Sequence, residues 1–202
     1  MFDCAIPIGG ACNITFLLQN AKIKKQTTLF EWFVSPNLRD ITSVLIKIGD
    51  NTDNNIVTTN NTHIFIGDKI FSVHYSYANF KTIYERRRTR LLNDIKSSKK
   101  ILFCRFEGFE GGDTIVYNKE DIDDFINSIL TINTNLEDIK ILLISPNKTG
   151  LDHPSLINVM YDKHASDPYC KSQEINELFV NTLRKIGYNL NDTTDMCFTD
   201  MS

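Results

Sequence analysis

Apolar positions in the first fifty residues alternate between short continuous runs and helical spacing. The run 2–8 ends at Gly9-Gly10, and apolar residues then recur at helical spacing through 14–21. This pattern predicts a strand, a tight turn and a helix, with Asn13 as a suitable N-cap. A second helix is predicted to open at 35–37 and to continue to about Gly49.

The middle of the chain contains a polar stretch and short apolar segments. Residues 50–61 are polar and aperiodic, which indicates a surface loop with a brief strand near 56–57. Two apolar segments, 63–66 and 69–75, flank Gly67-Asp68 and predict a hairpin with a type II′ turn. Strand alternation in the second arm places His74 on the same face as Ser72.

From residue 80 onward helical and strand patterns alternate, as expected when helices cover a parallel sheet. The predicted segments are a helix over 80–97, a strand over 101–106, a helix over 122–130, strands over 139–144 and 156–161, and a helix over 175–186 that ends at Gly187. We therefore expect one α/β domain over 1–188, with a mixed, mostly parallel sheet, helices on both faces and a β-hairpin insertion. Residues 189–202 form a polar tail.

Composition narrows the class of protein. A chain of 202 residues with 42% hydrophobic and 23% charged content suits one core-bearing domain. A net charge of -3 gives no general attraction to nucleic acid or anionic lipid, and no apolar run is long enough for a membrane helix. The five cysteines are scattered and odd in number. We therefore expect a reduced, cytoplasmic protein without metal, cofactor, nucleic-acid or membrane partner, and the composition leaves its oligomeric state open.

Candidate chemistry gathers at the carboxyl ends of the predicted strands, near a reversal of strand order. The sharpest candidate is Cys12, which follows Gly9 and Gly10 at the start of a helix. The positive end of a helix lowers the pKa of a thiol, and its amides can hold an oxyanion. A small buried residue at a strand–helix junction is the alternative interpretation of Cys12.

A nucleophilic thiol needs a base, and the chain has four histidines. His74 on its strand and His153, which Asp152 can orient, are the stronger candidates, ahead of His63 and His164. Taken from the residues alone, the choice between His74 and His153 stays open.

Ligand-binding candidates accompany the turn. Arg87 and Arg88 belong to a run of arginines on the predicted helix 80–97, and Arg105 ends an apolar strand, so each can bind a carboxylate or phosphate. Glu107 opens an acidic, glycine-rich stretch, 107–113, that can close over a ligand. A solvated surface is the alternative interpretation for the arginine run and for the acidic stretch.

Three blocks of sequence also resemble a known family. Ile8-Gly9-Gly10-Ala11-Cys12, Leu29-Phe30-Glu31-Trp32-Phe33 and Tyr84 to Phe106 are similar, in that order, to a papain-like cysteine peptidase family of unknown-function domains from bacteria and large DNA viruses. The resemblance implies a papain-like α+β fold as an alternative. It also implies Cys12 as nucleophile and His74 as base. Gly9, Gly10, Asn13 and Trp32 are further predicted ligand-binding residues. The chain departs from the family pattern at Leu29 and Glu31, where proline and aspartate are usual.

Three functions remain open. The first is a cysteine-dependent hydrolase, peptidase-like or acyl-transferring. The second is a non-hydrolytic α/β enzyme or binding protein for a nucleotide-sugar or another phosphorylated ligand. The third is a non-catalytic host-interaction protein, located in the host cytoplasm if the chain is viral.

Overall fold

The computed structural model describes residues 1–10, 12–54, 56–60, 63–72, 74–75, 77–107, 117–147, 149–161 and 172–190. In chain order the elements are β1 Cys4–Pro7, α1 Asn13–Asn20, α2 Leu38–Gly49, β2 Val57–Thr59, β3 Ile64–Ile66, β4 Ile70–Ser72, α3 Tyr77–Ser97, β5 Lys100–Phe106, α4 Lys119–Ile132, β6 Asp138–Ser145, β7 Leu156–Met160 and α5 Gln173–Lys185. The predictions made for His164 and for most of 107–113 lie outside the described residues, as does nearly all of the predicted tail.

The central sheet has four parallel strands in the order β1-β5-β6-β7. Helices α2, α3 and α4 pack on one face of this sheet, and α1 and α5 pack on the other. The strands β2, β3 and β4 form a separate antiparallel sheet on the side of α2 and α3. The predicted α/β fold is therefore confirmed, including helices on both faces and the hairpin insertion.

Side-chain alternation explains the two packed faces. Ile101, Phe103 and Leu143 of the central strands point to the side of α2 to α4, while Leu102 and Leu142 point to α1 and α5. Since both faces are covered, the central strands are almost continuously apolar, as expected for a parallel sheet.

Local signals set the helix ends. Asn37 caps α2 by accepting a hydrogen bond of 2.9 Å from the amide of Asp40. Gly187, with φ of +75°, follows α5, and the amide of Tyr188 donates back to the carbonyl of Leu183 at 2.9 Å. The predicted termination at Gly187 is confirmed.

Among the described residues, no helix is both long and apolar enough to cross a bilayer.

The prediction of Asn13 as the N-cap of α1 is wrong by one residue. Cys12 is the N-cap, and Asn13 is the first helical residue, with an exposed fraction of 1%. The helix therefore begins one residue earlier than predicted, and Asn13 lies within it.

The hairpin also differs from its prediction. Ile66 pairs with Ile70, so three residues join the strands and the predicted two-residue turn is wrong. Strand β4 spans Ile70–Ser72, and Ser72 pairs with Ile64 of β3. His74 therefore lies in a bend past the strand, where its side chain is exposed while that of Ser72 is buried.

The expected reversal of strand order does not occur among the described strands. A crevice can nevertheless form between the carboxyl ends of β1 and β5, because α1 follows β1 on one face and α4 follows β5 on the other.

Candidate functional site

The glycine turn after β1 packs tightly against the protein itself. Gly9 and Gly10 have φ of +77° and +85°, which glycine adopts without steric cost. A Cβ atom at Gly10 would lie 1.8 Å from the carbonyl oxygen of Phe106, and one at Gly9 would lie 2.4 Å from Ser35 Oγ. The amide of Gly10 donates to the same Ser35 Oγ at 2.9 Å. Close packing therefore accounts for both glycines.

Arg105 lies near the carboxyl end of β5 and is fully buried. Its Nε lies 2.8 Å from Glu107 Oε1 and 2.8 Å from the Tyr117 hydroxyl, which also bonds Glu107. Nη1 donates to the carbonyl of Ile8 at 3.1 Å and to Ser35 Oγ at 2.7 Å, and Nη2 donates to the Ser35 carbonyl at 2.7 Å. The guanidinium thus fixes the strand end and the glycine turn from inside.

Burial governs the ionisation of this pair. Desolvation lowers the pKa of Arg105 and raises the pKa of Glu107, and the attraction between the two side chains opposes both shifts. The predicted ligand-binding residues Arg105 and Glu107 therefore form an ion pair with each other, and Arg105 also donates hydrogen bonds to neighbouring backbone carbonyls.

Cys12 differs from the other described thiols in its exposure. Cys4 and Cys104 are buried, and burial raises the pKa of Cys4 to about 11 and raises that of Cys104 as well. Cys12 is partly exposed at the start of α1, and its side chain makes no capping bond to the helix. Its carbonyl accepts from the amides of Thr15 at 2.9 Å and Phe16 at 3.4 Å. Cys12 therefore lies at the amino-terminal end of α1, the end at which the first amides of a helix lack intrahelical acceptors.

An aromatic series connects this first turn to His74. Phe16 lies one helical turn after Cys12, on the same side of α1. The Phe16 ring meets the Trp32 ring edge to face, with centroids 5.3 Å apart, and the Trp32 ring meets the His74 ring edge to face at 5.9 Å. The helix that begins at Cys12 is thus linked to His74 through two aromatic contacts.

The other predicted base lies elsewhere. His153 is buried on the α4 side of the sheet, where its Nε2 lies 3.1 Å from Asp123 Oδ1 and its Nδ1 accepts from the Ser155 amide at 3.1 Å. Asp152 is exposed, and the carboxylate that orients His153 belongs to Asp123. Since α1 packs on the opposite face, the structure does not bring His153 and Asp152 together with Cys12.

The two arginines of α3 bind parts of the protein. Arg87 donates to the carbonyl of Glu31 at 3.2 Å and to the Tyr75 hydroxyl at 2.8 Å, with its guanidinium 5.1 Å from the Tyr75 ring centroid. Arg88 binds both carboxylate oxygens of Asp53, at 2.5 and 3.0 Å. Arg87 therefore holds the neighbours of Trp32 and His74 together, while Arg88 anchors α3 to the loop after α2.

Sequence reasoning missed several residues that shape this region. Ser35 joins the glycine turn to Arg105, yet its only signal in the sequence was its position before a proline at a helix start. Phe16 was not among the residues whose helical spacing predicted α1. Tyr75 and Tyr117 had no polar partner in the sequence that could have pointed to their hydrogen bonds with Arg87 and Arg105.

Within the described part of the chain, no cluster of three or more His, Cys, Asp or Glu side chains could hold a metal ion. The arrangement that remains is a partly exposed thiol, aromatic rings and an exposed imidazole.

Comparison with known proteins gives a viral relative. The chain is 25% identical over 177 residues to the uncharacterized protein R408 of Acanthamoeba polyphaga mimivirus, covering 71% of this chain and 79% of that protein. No family model matches the chain, and no solved structure matches it. The viral relative agrees with the viral character expected from the sequence, and its name states no activity. The papain-like resemblance stays a prediction.

Proposed function

We propose that the protein is a cysteine-dependent hydrolase or acyl-transfer enzyme, with Cys12 as the nucleophile and His74 as the base. One observation carries the proposal: Phe16, one helical turn after Cys12, contacts Trp32, and Trp32 contacts His74, so two aromatic contacts link the thiol-bearing helix to the imidazole. The exposure of both groups supports it, because a nucleophile and its base must reach a substrate.

The chemistry follows from these positions. His74 takes the proton of the Cys12 thiol, and the thiolate attacks a carbonyl carbon of the substrate. The carbonyl oxygen becomes an oxyanion that the first amides of α1 can stabilise. Return of the proton from His74 to the leaving group breaks the acyl bond and leaves a thioester on Cys12. Water, or another acceptor in the transfer case, then releases the acyl group and regenerates the thiol.

Binding of a nucleotide-sugar or another phosphorylated ligand has less support. That function needs guanidinium groups directed at the ligand, whereas Arg87, Arg88 and Arg105 each bind carbonyl, hydroxyl or carboxylate groups of the protein. The glycine turn likewise faces Phe106 and Ser35.

Site-resolved alkylation tests the proposal. The native protein is treated with limiting iodoacetamide at about pH 6, where an ordinary thiol is almost fully protonated. Mass spectrometry then measures modification of each of the five cysteines. We expect Cys12 to be modified ahead of the other four, and the Cys12→Ser variant gives the background. Equal labelling of every cysteine would contradict the proposal. A non-catalytic host-interaction protein would instead keep its biological activity in a folded Cys12→Ala variant.

A further inference from the structure

Trp32 has a backbone conformation that its side chain disfavours. Its φ is +67°, in the left-handed region where a bulky residue without glycine's freedom is a clear outlier. Such a conformation is strained and persists only where the surrounding structure determines it, most often at functional sites.

The surrounding segment shows what the strained conformation achieves. Residues 29–31 and Phe33 are all buried, with exposed fractions of 0 to 1%, whereas Trp32 is partly exposed. The left-handed residue therefore turns one indole outward from a run that is otherwise part of the core. A core role would have needed no such inversion.

Buried polar contacts hold this segment in place. The Glu31 carboxylate accepts from the Thr28 amide at 2.6 Å and lies 2.6 Å from Lys24 Nζ. Arg87 donates to the Glu31 carbonyl, immediately before Trp32. These bonds fix the backbone on the amino side of the strained residue, which meets the condition for strain to persist.

The outward indole reaches the first turn of α1. It contacts Phe16, one turn after Cys12, and it contacts His74 on its other side. Trp32 and Phe16 are both partly exposed, and Phe16 lies one helical turn after the proposed nucleophile.

We propose that Trp32, backed by Phe16, binds the apolar acyl portion of the substrate that Cys12 attacks. This inference rests on the proposed function for the identity of the ligand. The substrate class is then an ester, thioester or amide whose acyl chain is apolar and longer than acetyl. The indole contacts the acyl chain directly, so Trp32 determines specificity and takes no part in proton transfer.

The chain has one tryptophan, so its fluorescence reports on this site alone. In the folded Cys12→Ser variant, which cannot form a thioester, hexanamide and acetamide are titrated as unreactive probes that differ in acyl length. We expect hexanamide to change the Trp32 emission at concentrations about tenfold lower than acetamide, because a longer chain buries more apolar surface on the rings. Equal effects of the two amides would overturn the inference.

Protection of Cys12 from iodoacetamide gives the second measurement. Hexanamide should slow alkylation of the wild-type protein about tenfold more effectively than acetamide, by the same burial of its chain. The preference should remain in Trp32→Phe and disappear in Trp32→Gly, whose glycine tolerates the positive φ and so preserves folding. A preference that survives in Trp32→Gly would refute the role of the indole.

The two proposals fail separately. If Cys12 is no more reactive than the other thiols while hexanamide still shifts the emission, a binding site for apolar chains at Trp32 stands, whereas the nucleophile and the identification of that chain as an acyl group both fall. If Cys12 is selectively reactive and the amides are equivalent, the nucleophile stands and the subsite falls.

Discussion

Replacement of Gly10 by alanine tests the packing that presents Cys12. The new Cβ would lie 1.8 Å from the carbonyl oxygen of Phe106 and 2.9 Å from its carbonyl carbon. Both atoms are backbone at the end of a central strand, so they cannot rotate away. The turn itself must move, and the Gly10 amide would then lose its bond to Ser35 Oγ.

The expected loss of stability has two parts. A non-glycine residue at φ of +85° costs about 1–2 kcal/mol. Displacement of the turn adds the loss of the Ser35 bond and of close contacts, about 2–3 kcal/mol together. Gly10→Ala should therefore lower the free energy of unfolding by about 3–5 kcal/mol, a large share of the total for a domain of this size.

Gly150→Ala is the matched control. Gly150 has φ of +69°, but among the described residues beyond its chain neighbours no atom lies within 4 Å of the position that an added Cβ would occupy. This variant should lose only the backbone cost, about 1–2 kcal/mol. Equilibrium unfolding in urea measures both variants. Equal losses in the two variants would refute the argument that contact with β5, rather than backbone conformation alone, requires glycine at position 10.

Three further predictions concern the polar network. Arg105→Met should cost about 3–5 kcal/mol in urea unfolding, because it leaves Glu107 buried without its cation; a loss below about 1 kcal/mol would show that the pair is dispensable. Burial opposes ionisation of Asp53, but Arg88 and a tyrosine hydroxyl overcome this effect and lower its pKa. The Asp53 carboxylate therefore contributes its full stability above the unfolded pKa of about 3.9, and this contribution is lost as the pH falls through the folded pKa. In Asp53→Asn the free energy of unfolding should consequently fall less steeply with decreasing pH in the acid range than it does in the wild type. Arg87→Lys should slow Cys12 alkylation several-fold, whereas Arg88→Lys should reduce stability without changing that rate; equal rates in both variants would contradict a role for Arg87 in holding the site.

The periodicity of apolar residues in the sequence was sufficient to predict the architecture. The apolar runs at β5 and β6 and the helical spacing in α2, α4 and α5 predicted those elements to within about three residues, because burial on a covered parallel sheet leaves a strong pattern. The end of α5 at Gly187 was equally predictable, since it depends on residues that are neighbours in the sequence.

Features that depend on contacts between residues far apart in the sequence could not be predicted from the sequence. His74 lies beyond the last paired residue of β4, and His153 is oriented by Asp123, which lies 30 residues away in the sequence. The left-handed conformation of Trp32 depends on packing of its whole segment. The nucleophile candidate followed from a local turn, whereas the choice between two histidines required the positions of both faces of the sheet.

The pH dependence of Cys12 alkylation in the wild type, in His74→Asn and in His63→Asn tests the central claim most directly. His63 lies on the hairpin, 5.2 Å from the Phe71 ring, and serves as the matched control. We predict that wild-type Cys12 reaches half-maximal reactivity well below the value of about 8.5 for an ordinary thiol. His74→Asn should move this midpoint upward by about one pH unit or more, and His63→Asn should leave it unchanged. Three superimposed curves, or a wild-type midpoint at the ordinary thiol value, would contradict the assignment of Cys12 and His74 as a catalytic pair.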